Sequence, residues 1–320
     1  MEPSLVNVCI TLVFLVVTAL PVARTDSLAK SPTSYEASVP AAVDPSWPRI
    51  LTFEIVKSFP HDTSAFTEGL VYLSHNASGG RSTGEGIFYE STGMRGQSTV
   101  REVDVATGKV LKKVAQSPQV FSEGLTLVNN NRLLQLAWQV QTGSIYSRQT
   151  LQKIGSFRHQ MTDGWGLSTY NRSLLVGSDG TSYIYFISAT SFKTLHKVQV
   201  TDGGTPIAWI NELEVRGNRI YANVWQTDCV AVIDPVSGRV AAWMDLQRLR
   251  GLAAARVKPR QEFDVLNGIA WDAQQRRLFV TGKYWPLVFQ IAPKTRPASG
   301  SRAADLAAIR ERCHPQVYRR

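Results

Sequence analysis

The chain is poor in the residues that build metal-based or disulfide-based folds. Its 320 residues include three Cys and five His. Three thiols exclude a disulfide-framework miniprotein and are too few for a zinc finger or an iron–sulfur centre. His61, His75, His159, His196 and His314 show no spacing suited to a zinc site. Charged residues are scarce, 19% against 43% hydrophobic, which excludes a largely disordered chain. Acidic residues are the minority: 25 Asp and Glu against 35 Lys and Arg leave a formal net charge of +10, which raises nucleic acid or an acidic membrane as partners. No GxSxG, P-loop or GxGxxG pattern occurs. Long helical periodicity is missing outside the carboxyl-terminal tail, and 246–256 is at most a short helical insertion.

Long apolar runs are confined to one place, Val8 to Leu20, followed by Pro21, Val22 and Ala23. Residues 1–23 therefore read as a signal peptide, with a retained signal anchor as the alternative. The run is preceded by Glu2 and by no Lys or Arg, which departs from the usual signal pattern. Either reading sends the rest of the chain into the secretory pathway: the ER or Golgi lumen, a vacuole or the cell exterior. A membrane partner is expected only if the segment is retained. Two glycosylation sequons, at Asn76 and Asn171, agree with that route. Once Cys9 leaves with the signal, Cys229 and Cys313 remain, either as a pair or as two free thiols. Residues 24–48 read as a flexible linker of Ser, Pro, Ala and Thr. Residues 294–320 read as a basic, solvated and mobile tail in which 301–312 can form a short helix. That tail carries about half of the excess positive charge, through Lys294, Arg296, Arg302, Arg310, Arg312, Arg319 and Arg320. No dense basic run with interleaved aromatics remains elsewhere, so nucleic acid is not expected as a partner.

Between linker and tail, one pattern recurs five times. It opens with FTEGLVYL from Phe66, FSEGLTLV from Phe121, DGWGLSTY from Asp163, INELEVRG from Ile210 and LNGIAWDA from Leu266. A second short apolar run and a third strand follow each opening, and in the first four repeats a hairpin leads to a fourth strand, with turn residues such as Ala106-Thr107-Gly108 and Val236-Ser237-Gly238. Units of four strands at a spacing of roughly 40 to 55 residues are the signature of a β-propeller. The expected fold is all-β: a five-bladed β-propeller over 49–293. Its fifth repeat lacks an outer strand, and the N-terminal run Arg49 to Phe59 is the candidate to close the ring. Length alone suggests two domains, and a β-sandwich has similar strands, but the repeated internal order argues for one ring.

The openings of the five repeats should meet at one mouth. They bring Glu68, Glu123, Asp163 with Trp165, Asn211 with Glu212, and Asn267. The second strands end in Ser91-Thr92, Trp138-Gln139, Ser178-Asp179, Trp225-Gln226 and Lys283-Tyr284-Trp285. Each has a bland alternative. Glu68 and Glu123 can cap backbone N–H groups, Trp138 and Trp225 can pack between blades, and Asn211 and Asn267 can form turns. Lys283 is odder, since a structural Lys at the end of an apolar strand has little to gain.

At these residues the chain resembles the plant-type glutaminyl cyclases, over about 49–292. The resemblance rests on FTEGL, YESTG, FSEGLTL, HQMTDGWGL, GSDGT, INELE, NVWQTDC, VLNGIAWD and FVTGKYWP, in family order. It implies a five-bladed propeller that converts N-terminal Gln of peptides or proteins to pyroglutamate and releases ammonia. Carried over by motif, Glu123 is the acid/base carboxylate, and Asn211 and Lys283 are the other essential polar residues. Phe66, Phe121, Trp138, Trp165 and Trp225 form the aromatic lining. Glu68 departs from the family, which often has Gln there. A carboxylate at this position could bind the substrate ammonium or raise the pKa of Glu123.

The chemistry fits these residue types. The α-amine attacks the γ-carboxamide carbon of its own residue, and one carboxylate can accept a proton from the amine and donate one to the leaving group. Lys283 or Asn211 would stabilise the oxyanion, and the aromatic walls would hold the ring-closing geometry and exclude water. No cofactor is needed for catalysis, although the oxygen-rich inner strands leave room for a structural divalent cation, calcium or zinc. A monomer acting on peptides with N-terminal Gln is expected. The alternatives are a non-catalytic propeller binding peptide or glycan at the same mouth, and a calcium-dependent propeller hydrolase.

Overall fold

Burial along the strands separates inner from outer positions. Thr99–Asp104 is buried at every residue, whereas in Val110–Ala115 exposed and partly buried residues alternate. The first pattern belongs to a strand covered on both faces and the second to one with a single covered face. A computed structural model describes residues 48–80, 83–296 and 301–315. The segments expected to be a signal (1–23) and, up to residue 47, a linker lie outside the described residues.

In chain order the strands are β1 (Arg49–Pro60), β2 (Thr67–Leu73), β3 (Ile87–Thr92), β4 (Thr99–Asp104), β5 (Val110–Ala115), β6 (Ser122–Val128), β7 (Arg132–Ala137), β8 (Thr142–Ser147) and β9 (Lys153–Arg158). There follow β10 (Leu167–Thr169), β11 (Leu174–Ser178), β12 (Tyr183–Ser188), β13 (Thr194–Gln199), and the two-residue pair β14 (Thr201–Asp202) and β15 (Thr205–Pro206). The chain continues through β16 (Ile210–Arg216), β17 (Arg219–Val224), β18 (Cys229–Ile233), β19 (Val240–Asp245), helix α1 (Gln247–Ala254), β20 (Leu266–Asp272), β21 (Arg277–Gly282), β22 (Leu287–Thr295) and helix α2 (Arg302–Cys313).

The structure is all-β apart from these two short helices. β2–β5, β6–β9 and β10–β13 each form an antiparallel four-stranded sheet in sequence order. β16–β19 is a fourth such unit and β20–β22 a three-stranded one, and β1 joins them into one eight-stranded sheet. β1 pairs antiparallel with β22 over its length and parallel with β19 at Arg49 to Leu51. The N-terminal strand thus supplies the missing outer strand, as its sequence led us to expect, and also bridges to the preceding unit. The first strands of the five units touch their neighbours in a closed cycle, β2–β6–β10–β16–β20–β2.

The core lies between consecutive units. Leu134, Leu136, Leu175 and Ile187 fill the space between β6–β9 and β10–β13, and Leu125, Leu133, Ile87 and Val100 fill the space before it. Ile184, Phe186, Ile220, Ala231 and Trp243 pack between the third and fourth units. Burying each such side chain contributes about 1.5–3 kcal/mol.

The tail expectation is corrected. α2 packs Ile309 and Cys313 into the cluster around Trp243, and Cys313 forms a disulfide with Cys229 of β18. Asp202, buried, accepts hydrogen bonds from Arg310 Nη2 at 2.5 Å and Trp243 Nε1 at 2.9 Å, and its Oδ2 lies 2.9 Å from His314 Nε2. Arg312 pairs with Asp245 at 2.6 Å. Arg310, Arg312 and His314 are therefore met by acids on the ring, which a count of tail residues alone does not reveal. The same disulfide resolves the state of the two thiols in favour of the pair. Among the described residues no helix is long and apolar enough to cross a membrane.

Candidate active site

The side chains at the mouth owe their direction to a repeated irregularity. In four units the register between the first and second strands slips at the opening: between Thr67 and Gly69, Ser122 and Leu125, Ile210 and Leu213, and Leu266 and Ile269. Bulges of this kind re-aim side chains. The residues inside the slips are Glu68, Glu123, Asn211 with Glu212, and Asn267. The glycines of the repeated motif serve the approach of neighbouring units. A Cβ on Gly124 would sit 2.5 Å from Trp165 O, and one on Gly166 would sit 2.1 Å from Asn211 O. Gly124 N–H donates to Trp165 O at 2.7 Å, which fastens two first strands directly.

Second-strand serines set two of the openings. Ser91 Oγ donates to Glu123 O at 2.5 Å, and Ser178 Oγ donates to Asn211 O at 2.6 Å. Each serine reaches from its own unit to the opening residue of the next.

The result is a cavity of about 290 Å³ lined by Phe66, Glu68, Phe121, Glu123, Trp138, Trp165, Asn211, Trp225, Gln226, Asp264 and Lys283. All nine residues singled out from sequence as catalytic or substrate-binding lie in this one lining. Phe66 packs edge-on to Phe121 with ring centres 5.8 Å apart, Phe121 continues to Trp138 at 5.4 Å, and Trp165 meets Trp225 edge-on at 5.6 Å. Trp138 and Trp225 thus face the cavity and are not packed away between units. Asp264 and the Trp209 ring behind Trp225 were missed, since neither belongs to the repeated opening.

The polar groups are unevenly supplied with partners. Lys283 Nζ donates to Glu68 Oε1 at 2.8 Å and lies 4.4 Å over the Phe66 ring. A buried Lys at this strand end therefore gains both an ion pair and a cation–π contact, contrary to the view that it has little to gain. Asn267 Nδ2 donates to Glu68 Oε2 at 3.1 Å and to Thr67 O at 2.9 Å, so it ties two units together and forms no turn. Glu123 and Glu68 border the same cavity, and each shifts the ionisation of the other. Asn211 is 3% exposed, and its side chain borders the cavity.

Two expectations for the mouth are corrected. Asp163 accepts from Gln139 N, Gly164 N and Trp165 Nε1, and so shapes a turn and anchors the indole. The N–H-capping role falls to Glu212, whose carboxyl accepts from Leu70 N at 3.4 Å and Ile269 N at 2.9 Å. Among the described residues no group of three or more His, Cys, Asp and Glu is arranged to hold a metal ion.

Burial pushes the Glu68 carboxyl up to about 7, against the pull of the Lys283 ammonium. Burial, then the charge of Glu68, pushes Glu123 well above the usual carboxylate range. Chemically, the cavity offers a proton on a carboxyl, a carboxylate beside an ammonium, an amide and aromatic walls, which suits proton transfer on a small uncharged group.

Comparison with known proteins agrees with this content. The model of the glutamine cyclotransferase family matches residues 27–292. A glutaminyl-peptide cyclotransferase of Arabidopsis thaliana is 44% identical over 251 residues, covering 78% of this chain and 74% of that protein. The crystal structure of Myxococcus xanthus glutaminyl cyclase superposes with a TM-score of 0.68 at 33% identity, over 78% of this chain and 100% of that one. With a matched span that reaches into all five sheet units and holds every residue lining the cavity, the chain belongs to the glutamine cyclotransferase family.

Proposed function

We propose that the protein is a glutaminyl-peptide cyclotransferase. It converts the N-terminal Gln of peptides or proteins to pyroglutamate and releases ammonia. The observation that carries this reading is the convergence of Glu123, Asn211 and Lys283 in one aromatic cavity. A Gln side chain is flexible. Walls of Phe66, Phe121, Trp138, Trp165 and Trp225 hold it folded, with the α-amine against the γ-carboxamide carbon, and proximity of this kind contributes strongly to rate. The same walls exclude water and suppress hydrolysis to Glu. Glu123 is the carboxyl that hands a proton to the departing nitrogen. Lys283 and Asn211 steady the negative charge on the carboxamide oxygen.

The five sheet units are read as the blades of a propeller, supported by the closed cycle of first strands and by the closing strand β1. A secretory location is supported by the Cys229–Cys313 disulfide, because such bonds persist in oxidising compartments. Asn76 and Asn171 are read as glycosylation sites. Both are exposed and sit in turns between first and second strands, at the end of the units away from the cavity. The protein is read as a monomer that needs no cofactor for catalysis.

The test uses purified protein and a Gln-initiated peptide, with ammonia and pyroglutamate measured with and without a chelator. Release that is indifferent to chelator, and is lost in Glu123→Gln with the fold retained, is the expected outcome. No release by well-folded wild-type protein refutes the reading, and release abolished by chelator replaces it with a metal mechanism.

A further inference from the structure

Glu68 and Glu123 reach the cavity from adjacent units and line it together, and each shifts the ionisation of the other. An ionised carboxylate only accepts, so two carboxyls can share a hydrogen bond only with a proton between them. Their surroundings decide which one carries it. Glu68 receives Lys283 Nζ at 2.8 Å on one oxygen and Asn267 Nδ2 at 3.1 Å on the other. Both are donors, and both favour the anion. Glu123 faces the carboxylate of Glu68, with the Lys283 ammonium and then the Asp163 carboxylate as lesser and opposed influences, and Lys283 is bonded to Glu68 instead. Negative charge therefore settles on Glu68 and the proton on Glu123.

We propose that Glu68 and Glu123 act as a one-proton pair, with Glu68 the general base and Glu123 the general acid of ring closure. The proposal rests on the cyclase reading and assigns Glu68 a second catalytic role. The α-amine nitrogen forms a bond to the carboxamide carbon and gives one proton to the Glu68 carboxylate. The carbon–nitrogen bond of the carboxamide then breaks, and the Glu123 proton goes to the departing NH₂ to form ammonia. Glu68 then returns its proton to Glu123, which restores the pair. One carboxyl no longer has to turn from amine to leaving group within a single event.

Two features support the division. Burial raises both groups, Glu68 to about 7, so a proton is held near neutral pH where substrate amines are partly uncharged. The other charged groups facing the pair are Lys283 at the end of β21, Asp264 before β20, Asp163 before β10 and Glu212 on β16. Only Lys283 is cationic, and it is bonded to Glu68.

The test is the pH dependence of turnover from about pH 5 to 10 for wild type, Glu68→Gln and Glu123→Gln. Wild type is expected to give a bell whose two limbs belong to the pair. Glu68→Gln is expected to lose about 10- to 100-fold in kcat, to keep KM within about twofold, and to show a single rise to a plateau, because one carboxylate alone must then serve. A Glu68→Gln protein with wild-type kcat and the same bell overturns the pairing and leaves the cyclase reading standing. Wild-type protein inactive at every pH overturns both. Should Glu68→Gln fail to fold, Glu68→Asp retains the charge on a shorter arm. It is expected to keep the bell with lowered kcat, and a plateau in its place refutes the pair.

Discussion

Lys283 Nζ lies 2.8 Å from Glu68 Oε1, and both side chains are almost completely buried, at 6% and 2% exposure. Removing one partner of such a pair leaves an uncompensated charge, at a cost of about 3–5 kcal/mol that proton uptake by Glu68 reduces. Lys283→Met is expected to lower the Tm by several degrees and turnover by about 100-fold or more. Adding Glu68→Gln to it should restore most of the Tm without restoring turnover. Thermal melts and ammonia release on the single and double variants separate the structural share of the pair from its chemical share.

Glu214 makes stability depend on pH. Burial pushes its carboxyl from the ordinary 4.5 up to about 8, although Ser168 Oγ donates to it at 3.3 Å. The folded protein thus keeps a proton that the unfolded chain releases above about 4.5. The associated stability is complete below that value and is lost as pH rises through about 8. Glu214→Gln removes the titration. We expect an unchanged Tm near pH 4 and a Tm about 2–4 °C higher near pH 9, on the order of 1 kcal/mol after allowing for the partial exposure of this side chain. Melting curves across that pH range provide the check.

The Cys229–Cys313 bond closes a loop of sequence separation 84. Cys313→Ser is expected to destabilise the protein by about 2–4 kcal/mol, chiefly through greater freedom of the unfolded chain. Neither cysteine lines the Phe66–Lys283 cavity. Turnover measured well below the lowered Tm should therefore match wild type. Denaturant unfolding with and without reductant distinguishes loss of the bond from loss of α2 packing.

Much of this architecture was legible because it repeats. The openings around Glu68, Glu123, Trp165, Asn211 and Asn267 recur at one strand position, and a periodic ring brings equivalent positions to a common axis. Nine of the eleven lining residues were accordingly found by motif. What stayed hidden depends on contacts between units that share no pattern. Glu212 caps Leu70 and Ile269 from across the ring, and nothing in INELE distinguishes its two polar side chains. Asp264 lies in the irregular segment before β20. The tail misled for another reason. Its arginines look solvated when summed as charge, but Asp202 and Asp245 had already been placed to receive them.

The closing strand has a consequence for the order of synthesis. Thr52 and Lys294 face each other across β1 and β22 but are 242 positions apart in the chain. β1 emerges from a ribosome well before its partners β19 and β22. Throughout translation it is an unsatisfied strand edge, in a topology whose long-range pairing is slow to form. The ring as a whole can therefore close only after β22 has emerged, and until then a nascent protein offers β1 to any neighbour able to pair with it.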